Sequence, residues 1–150
     1  MPPPVHEHRV RVRYAETDQM GVVYHANYLI YMEEGRTRLM QERGFQYAAL
    51  ERRGIGLAVH RAEVEYRAPA RYDEELLVRT SVGRVRSASV SFSYEILRAD
   101  DGTLLATGVT DLACLALDVE PRRVRHLPPD VREALLGAPE EPQAGSGRSS

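Results

Sequence analysis

The chain has 150 residues and a formal charge of −2, and all 20 of its cationic residues other than histidine are arginine. Having no lysine excludes Schiff-base chemistry, pyridoxal phosphate attachment and a P-loop lysine, while the small net charge argues against nucleic acid, which calls for a strongly basic patch. Hydrophobic and charged fractions of 43% and 28% suit one soluble domain able to bury a core, with no stretch long enough to span a membrane.

Residues 8–14 alternate polar and apolar with period two and read as a half-buried strand. A glycine-containing loop follows, and residues 24–43 then carry a helical pattern that stops at Gly44. Glu34 and Arg38 stand four apart with the acid first, the favourable order for an ion pair. Tyr24, Tyr28, Leu29, Ile30, Tyr31 and Met32 make the first half apolar on more than one face, so this helix is expected to be wrapped by other structure. Residues 45–53 suggest a short second helix.

After Gly56 the texture becomes that of strands. Residues 57–67 alternate through Ala62, Val64 and Tyr66, and Pro69 ends the run. Residues 75–85 and 88–96 alternate cleanly, Asp100-Asp101-Gly102 reads as a hairpin turn, and 103–117 returns as a long strand. Cys114, the single cysteine, sits in an apolar run as a small buried hydrophobe; a reducing cytoplasm is the expected compartment. Residues 130–136 suggest a last helical turn. Residues 1–136 therefore form one domain, and 137–150, rich in Gly, Pro, Ser and Glu, are expected to be disordered.

One strand, one long helix and four successive strands define an α+β fold, a five-stranded antiparallel sheet carrying a helix. One helix does not cover five strands. Some sheet surface or edge is thus expected to be shared with a second copy, giving a homodimer or homotetramer.

The segment Tyr14-Ala15-Glu16-Thr17-Asp18-Gln19-Met20-Gly21-Val22-Val23-Tyr24-His25-Ala26-Asn27-Tyr28 is the most informative. It places a carboxylate, Asp18, and a glycine turn just before a helix start, where unpaired N–H groups and a partial positive charge gather. Two readings are open. Asp18 caps a turn, or it is one half of a hydrolytic site whose other half is an oxyanion cradle at the helix mouth.

With Val64-Glu65-Tyr66-Arg67-Ala68-Pro69-Ala70, Asp73 and Leu76-Leu77-Val78, that segment resembles hotdog-fold acyl-CoA thioesterases. The similarity is to the 4-hydroxybenzoyl-CoA thioesterase-like group and its Tol-Pal-associated branch, and it runs over residues 9–136. The resemblance implies a sheet curled around a central helix and hydrolysis of an acyl-CoA to a free acid and coenzyme A. It implies that Asp18 is the catalytic nucleophile or base and that the backbone N–H of His25 binds the thioester oxygen. It also implies substrate contacts from Tyr24 and Asn27 at the helix mouth, from Val59 and His60 in the second strand, and from Arg86 and Ser87 at a subunit edge. No cofactor or metal is implied.

The chemistry is consistent, because a thiolate whose conjugate acid has a pKa of about 8.5, if coenzyme A resembles cysteine, leaves without a strong general acid. The His25 imidazole has two readings, a hydrogen bond to Asp18 or water, or a bystander role beside a working N–H. Asn27 is placed to pin the loop. His6-Glu7-His8 lacks the further ligands of a metal site. Arg84 and Arg86 read as a solvated turn or a phosphate contact, and Glu63 and Glu65 as a polar strand face, Glu65 paired to an arginine. Two other functions remain open: a non-catalytic acyl-CoA or acyl-carrier-protein binding module, and a hotdog hydratase or dehydratase.

Overall fold

Alternation in the sequence becomes ladder pairing in the computed structural model, which describes residues 5–137. The tail expected to be disordered lies outside the described residues from 138 onward. In chain order the elements are β1 (Val5–Arg11), a 3-10 turn (Tyr14–Glu16), α1 (Asn27–Glu42), α2 (Tyr47–Arg52), β2 (Ile55–Tyr66), β3 (Glu75–Val85), β4 (Ser89–Arg98), β5 (Leu104–Ala116), β6 (Arg123–Val124) and α3 (Pro129–Leu136). The strands pair antiparallel in the order β1-β3-β4-β5-β2, with two-residue β6 added to β5 beyond the start of β4. The sheet thus has six strands rather than the expected five. The sixth is too short to carry a period.

β1 and β2 are adjacent helix-flanking strands in sequence but lie on opposite edges of the sheet. α1 therefore has to cross the sheet to join them. Gly35 lies directly on Thr80 and Val78 of β3, and Met32 lies over Gly108 of β5, so the helix spans three central strands. A Cβ at Gly35 would stand 2.9 Å from Val78 Cγ1, closer than packing allows. Glycine here permits the close approach. This is the hotdog architecture, a curled antiparallel sheet around a central helix.

Tyr28, Tyr31, Met32, Leu39 and Met40 of α1 join Val78, Val90, Phe92, Tyr94, Ile96, Leu112 and Cys114 in one core. Leu29 and Ile30 remain 40% and 49% exposed, so α1 is covered on one side only. The helix starts at Asn27, three residues later than its pattern suggests. Glu34 does not pair with Arg38 as its spacing invites. It meets His8 Nε2 at 3.2 Å, and Glu42 meets His6 Nδ1 at 3.1 Å. Both imidazoles project from β1 toward α1, offering the glutamates partners on a fixed strand instead of a mobile side chain.

β2 contains a bulge between Val59 and Arg61. Before it, Ile55, Leu57 and Val59 face inward opposite Ala116, Cys114 and Leu112; after it, Ala62, Val64 and Tyr66 do so opposite Thr110, Gly108 and Ala106. The extra residue shifts the alternation from odd to even positions, which keeps Arg61, Glu63 and Glu65 outside. There Arg61 pairs with Glu63 and Arg67 with Glu65.

Candidate active site

The segment between β1 and α1 is held as a compact hairpin. Thr17 bridges Val23, Asp18 N–H donates to Val22 O at 2.8 Å, and Val23 N–H reaches Ala70 O at 2.8 Å. Gly21 closes the turn with φ +80°, a conformation that a side chain would strain. Asp18 is half-buried at the start of this turn. Its Oδ1 accepts from Met20 N–H at 2.8 Å and Val22 N–H at 3.4 Å. The turn-capping reading therefore describes one carboxylate oxygen. The other, Oδ2, has no protein partner among the described residues.

Glu16 is the hub of the segment, and nothing local in the sequence marked it. Its backbone carbonyl accepts both Tyr24 N–H at 2.9 Å and Asn27 Nδ2 at 2.8 Å. Its buried side chain accepts the Tyr31 hydroxyl at 2.8 Å, Arg13 N–H at 2.9 Å and Arg13 Nε at 3.0 Å. Burial by itself would raise the Glu16 pKa. The hydrogen bonds from Arg13 and Tyr31 outweigh it and hold the carboxyl below its ordinary value. Burial and the adjacent Glu16 push the Tyr31 hydroxyl well above the phenol range.

The late start of α1 follows from its first turn, where the N–H groups of Asn27, Tyr28 and Leu29 reach back three residues, to Tyr24, His25 and Ala26 O, rather than four. Tyr24 N–H is used by Glu16, and Asn27 N–H turns back to Tyr24 O at 2.9 Å. The N–H groups of His25 and Ala26 are left without a hydrogen-bond partner among the described residues. They sit at the mouth of α1, where the helix dipole is positive. Asn27 makes the loop tie its position suggested. The His25 ring packs 4.4 Å from the Tyr24 ring and edge-on to Tyr66 at 6.3 Å, and it makes no hydrogen bond to Asp18. Tyr66, read from the sequence as a residue of an alternating strand, donates its hydroxyl to the His25 carbonyl at 2.9 Å.

Asp18, Tyr24, His25 and Asn27 thus gather around one turn. Val59, His60, Arg86 and Ser87 do not join them. His60 lies six residues along β2 from Tyr66, roughly 20 Å for an extended strand. With Arg84, Arg86, Ser91 and Asp111 it lines a separate depression of about 480 Å³. The Arg86–Ser87 turn is fixed from below, since Arg132 donates to Arg86 O at 2.6 Å and Leu127 N–H to Ser87 O at 2.8 Å. Among the described residues no group of three or more His, Cys, Asp or Glu side chains is arranged to hold a metal, and no helix is long and apolar enough to cross a membrane.

The curled sheet, the crossing helix and the loop at its mouth define a hotdog-fold protein. Residues 12–135 match the thioesterase-like superfamily, and the chain belongs to that family. It is 37% identical to the acyl-CoA thioester hydrolase YbgC of Escherichia coli, over 75% of this chain and 84% of that protein. A DHNA-CoA thioesterase from Staphylococcus aureus superposes with a TM-score of 0.81 at 34% identity, covering 87% of each chain. A 4-hydroxybenzoyl-CoA thioesterase shares the fold, with a TM-score of 0.79 at 19% identity over 87% of this chain and 98% of that one.

Proposed function

We propose that the protein is an acyl-CoA thioesterase of the cytoplasm, with Asp18 and the His25 N–H as the two halves of its reaction centre. The observation that carries this reading is the pairing of a half-bonded carboxylate with an unpartnered main-chain donor on one Glu16-tied turn. Oδ1 of Asp18 is spent on the turn, which orients Oδ2. That oxygen attacks the thioester carbonyl or takes the proton of an attacking water. Charge developing on the carbonyl oxygen falls to the His25 N–H, a type of donor whose loss costs about 3–4 kcal/mol. The relative named an acyl-CoA thioester hydrolase supports the reaction class, thioester hydrolysis.

Completion of the site by a second copy accounts for the stranded residues. β2 is an edge strand, and its inward-facing Val59 and Tyr66 are 45% and 49% exposed. Antiparallel pairing of two β2 edges about a twofold axis near residues 62–63 brings the partner's Val59 and His60 beside Tyr66, and so beside His25. Arg84 and Arg86 of that partner then offer guanidinium groups to coenzyme A phosphates. In this reading Tyr24 walls the cleft, and Asn27 acts on the loop rather than on substrate.

The test is thiol release from a panel of acyl-CoAs by the parent and by Asp18→Asn. Asparagine keeps the Oδ1 contacts to Met20 and Val22, so the variant is expected to fold and bind while turnover falls by orders of magnitude. Equal rates overturn the mechanism. Absence of turnover in the parent, with acyl-CoA still bound, favours a binding module. A single turnover in isotopically labelled water separates nucleophile from base: water cleaving an Asp18–acyl anhydride at the Asp18 carbonyl leaves its label on Asp18 and sends an unlabelled Asp18 oxygen into the acid, whereas a base mechanism leaves Asp18 unlabelled and puts the label in the acid. Sedimentation at falling concentration, with activity read in parallel, tests the dimer.

A further inference from the structure

The hairpin that carries Asp18 does not dock on a strand of the sheet. Its second arm, Val22-Val23, rests on residues 67–74, the connection that leaves β2 at one edge and passes the ends of β5 and β4 to reach β3. Val22 bridges Arg71, and Val23 N–H donates to Ala70 O at 2.8 Å. The connection holds no helix or strand of its own. Backbone bonds fasten it at its two ends: Arg67 and Ala68 N–H reach Leu105 O at 2.8 and 3.2 Å, and Val12 N–H reaches Glu74 O at 2.9 Å. The place of Asp18 therefore depends on what fixes the middle, Pro69 to Arg71.

Arg98, the last residue of β4, spans that middle. It is 19% exposed and divides its planar fork among three segments. Nη2 donates to Pro69 O at 2.9 Å. Nε donates to Glu74 Oε2 at 3.2 Å, and the other oxygen of that carboxylate accepts Arg71 N–H at 2.9 Å. Nη1 turns the other way, to Asp101 Oδ2 in the β4–β5 turn at 3.2 Å.

The first two arms bracket Ala70 and Arg71, the residues on which Val22 and Val23 rest. One further step reaches the carboxylate. Asp18 N–H donates to Val22 O at 2.8 Å, and Val22 N–H to Asp18 Oδ1 at 3.4 Å. Each link from the guanidinium is charge-assisted, and such bonds are shorter and about twice as strong as neutral ones. Glu74 is 27% exposed, so solvent screens this pair less than the ion pairs at the rim.

We infer that Arg98, acting through Glu74 and the Pro69–Arg71 backbone, is a positioning residue for Asp18, fixing the Val22 arm and with it the direction of Oδ2. Its kinetic consequence rests on the thioesterase reading of Asp18; the tether itself does not.

The experiment separates the arms of Arg98. Arg98→Met removes all three and keeps an apolar stem, Glu74→Gln keeps an oxygen for Arg71 N–H but loses the charge, and Asp101→Ala removes only the arm to the turn. Thiol release from acyl-CoA is read as kcat and KM per folded molecule, beside hydrogen exchange at the Val22 and Val23 amides. Arg98→Met is expected to lower kcat about tenfold or more while KM stays within about threefold. Val23 exchange should quicken about tenfold or more, with the amides at the centre of α1 unchanged. Arg98→Lys, which still meets Glu74, should recover part of both effects. Asp101→Ala should lower the melting temperature and leave kcat within about twofold. In an Asp18→Asn background, Arg98→Met should cost less than about threefold more, because its effect runs through that carboxylate.

Val23 exchange unchanged in Arg98→Met overturns the inference. So does faster exchange with kcat untouched, or an undiminished further loss in the Asp18→Asn background. Should Arg98→Met fail to fold by circular dichroism, Arg98→Lys and Glu74→Gln carry the same two readouts. A parent that binds acyl-CoA without turnover sinks the thioesterase reading alone, and Val23 exchange then decides the tether.

Discussion

The Tyr66 hydroxyl donates to the His25 carbonyl oxygen across 2.9 Å, so the sheet's edge strand holds the turn that opens α1. His25 also supplies the unpartnered N–H, on the other side of its own Cα, and the two groups move together. Replacing Tyr66 by Phe keeps the ring against Tyr28, whose centroid is 5.2 Å away, and removes only the tether. Acyl-CoA hydrolysis is expected to lose about tenfold in kcat/KM, or about 1.4 kcal/mol. The melting temperature should fall by no more than about 4 °C in a chain of this size. A thermal loss without a kinetic one would leave Tyr66 a packing residue.

Glu16 gives a pH signature. Its folded-state pKa lies below the ordinary 4.5, so its contribution to stability is complete above that value and disappears as pH falls through the folded pKa. Glu16→Gln keeps an acceptor for Tyr31 but loses the charge-assisted bonds. We expect a deficit of about 2 kcal/mol at neutral pH, the scale of hydrogen bonds to a charged group. In urea titrations that deficit should shrink steadily below about pH 4.5. A gap that stays constant into acid would remove the ionised carboxylate from the explanation.

Asn27 separates helix energetics from loop positioning. An acid at the first turn of a helix is ordinarily favourable by about 0.3–1 kcal/mol. Here Asn27 Nδ2 is a donor to the Glu16 carbonyl, and a carboxylate would face that oxygen with another acceptor. Asn27→Asp is therefore expected to damage kcat/KM more than Asn27→Ala does, by roughly another tenfold if the unmatched acceptor costs about 1–2 kcal/mol. Steady-state assays of both variants decide the order.

The two glycines at the contact of α1 with the sheet should respond differently to alanine. At Gly35 the new methyl meets Thr80 and Val78, β-branched side chains anchored in β3. The gain of up to about 1 kcal/mol in helix propensity is expected to be overwhelmed by about 1–3 kcal/mol of overpacking. At Gly108 the methyl meets the far end of Met32, a flexible chain that can turn aside. Urea midpoints should show Gly35→Ala as the more destabilised protein, and the reverse order would mean that the helix shifts to accommodate it.

The alternation of β3, β4 and β5 and the span of α1 were legible because one face of each is buried, and burial writes a period into the sequence. What stayed hidden is held by distant partners. Glu16 sits in an unremarkable Ala-Glu-Thr run, and its meaning comes from Tyr31, fifteen residues on. The true start of α1 depends on a first turn closed three residues back, onto Tyr24, His25 and Ala26 O, which no local pattern announces. β6 exists only because two residues pair with the end of β5. Arg36 fits an amphipathic helix as a surface charge, and only the placement of Tyr47 and Tyr94 turns it into a buried one. Val59, His60, Arg86 and Ser87 lie apart from Asp18 within one chain, and they join it only in the dimer proposed above.

The bulge at residue 60 has an evolutionary corollary. Val59 points inward and Arg61 outward with or without the intervening histidine, so the ladder would close regularly if His60 were deleted. The sheet makes no demand on that position. A lineage can exchange its side chain at small cost to folding, which makes it a free dial beside a groove whose other walls are committed to architecture.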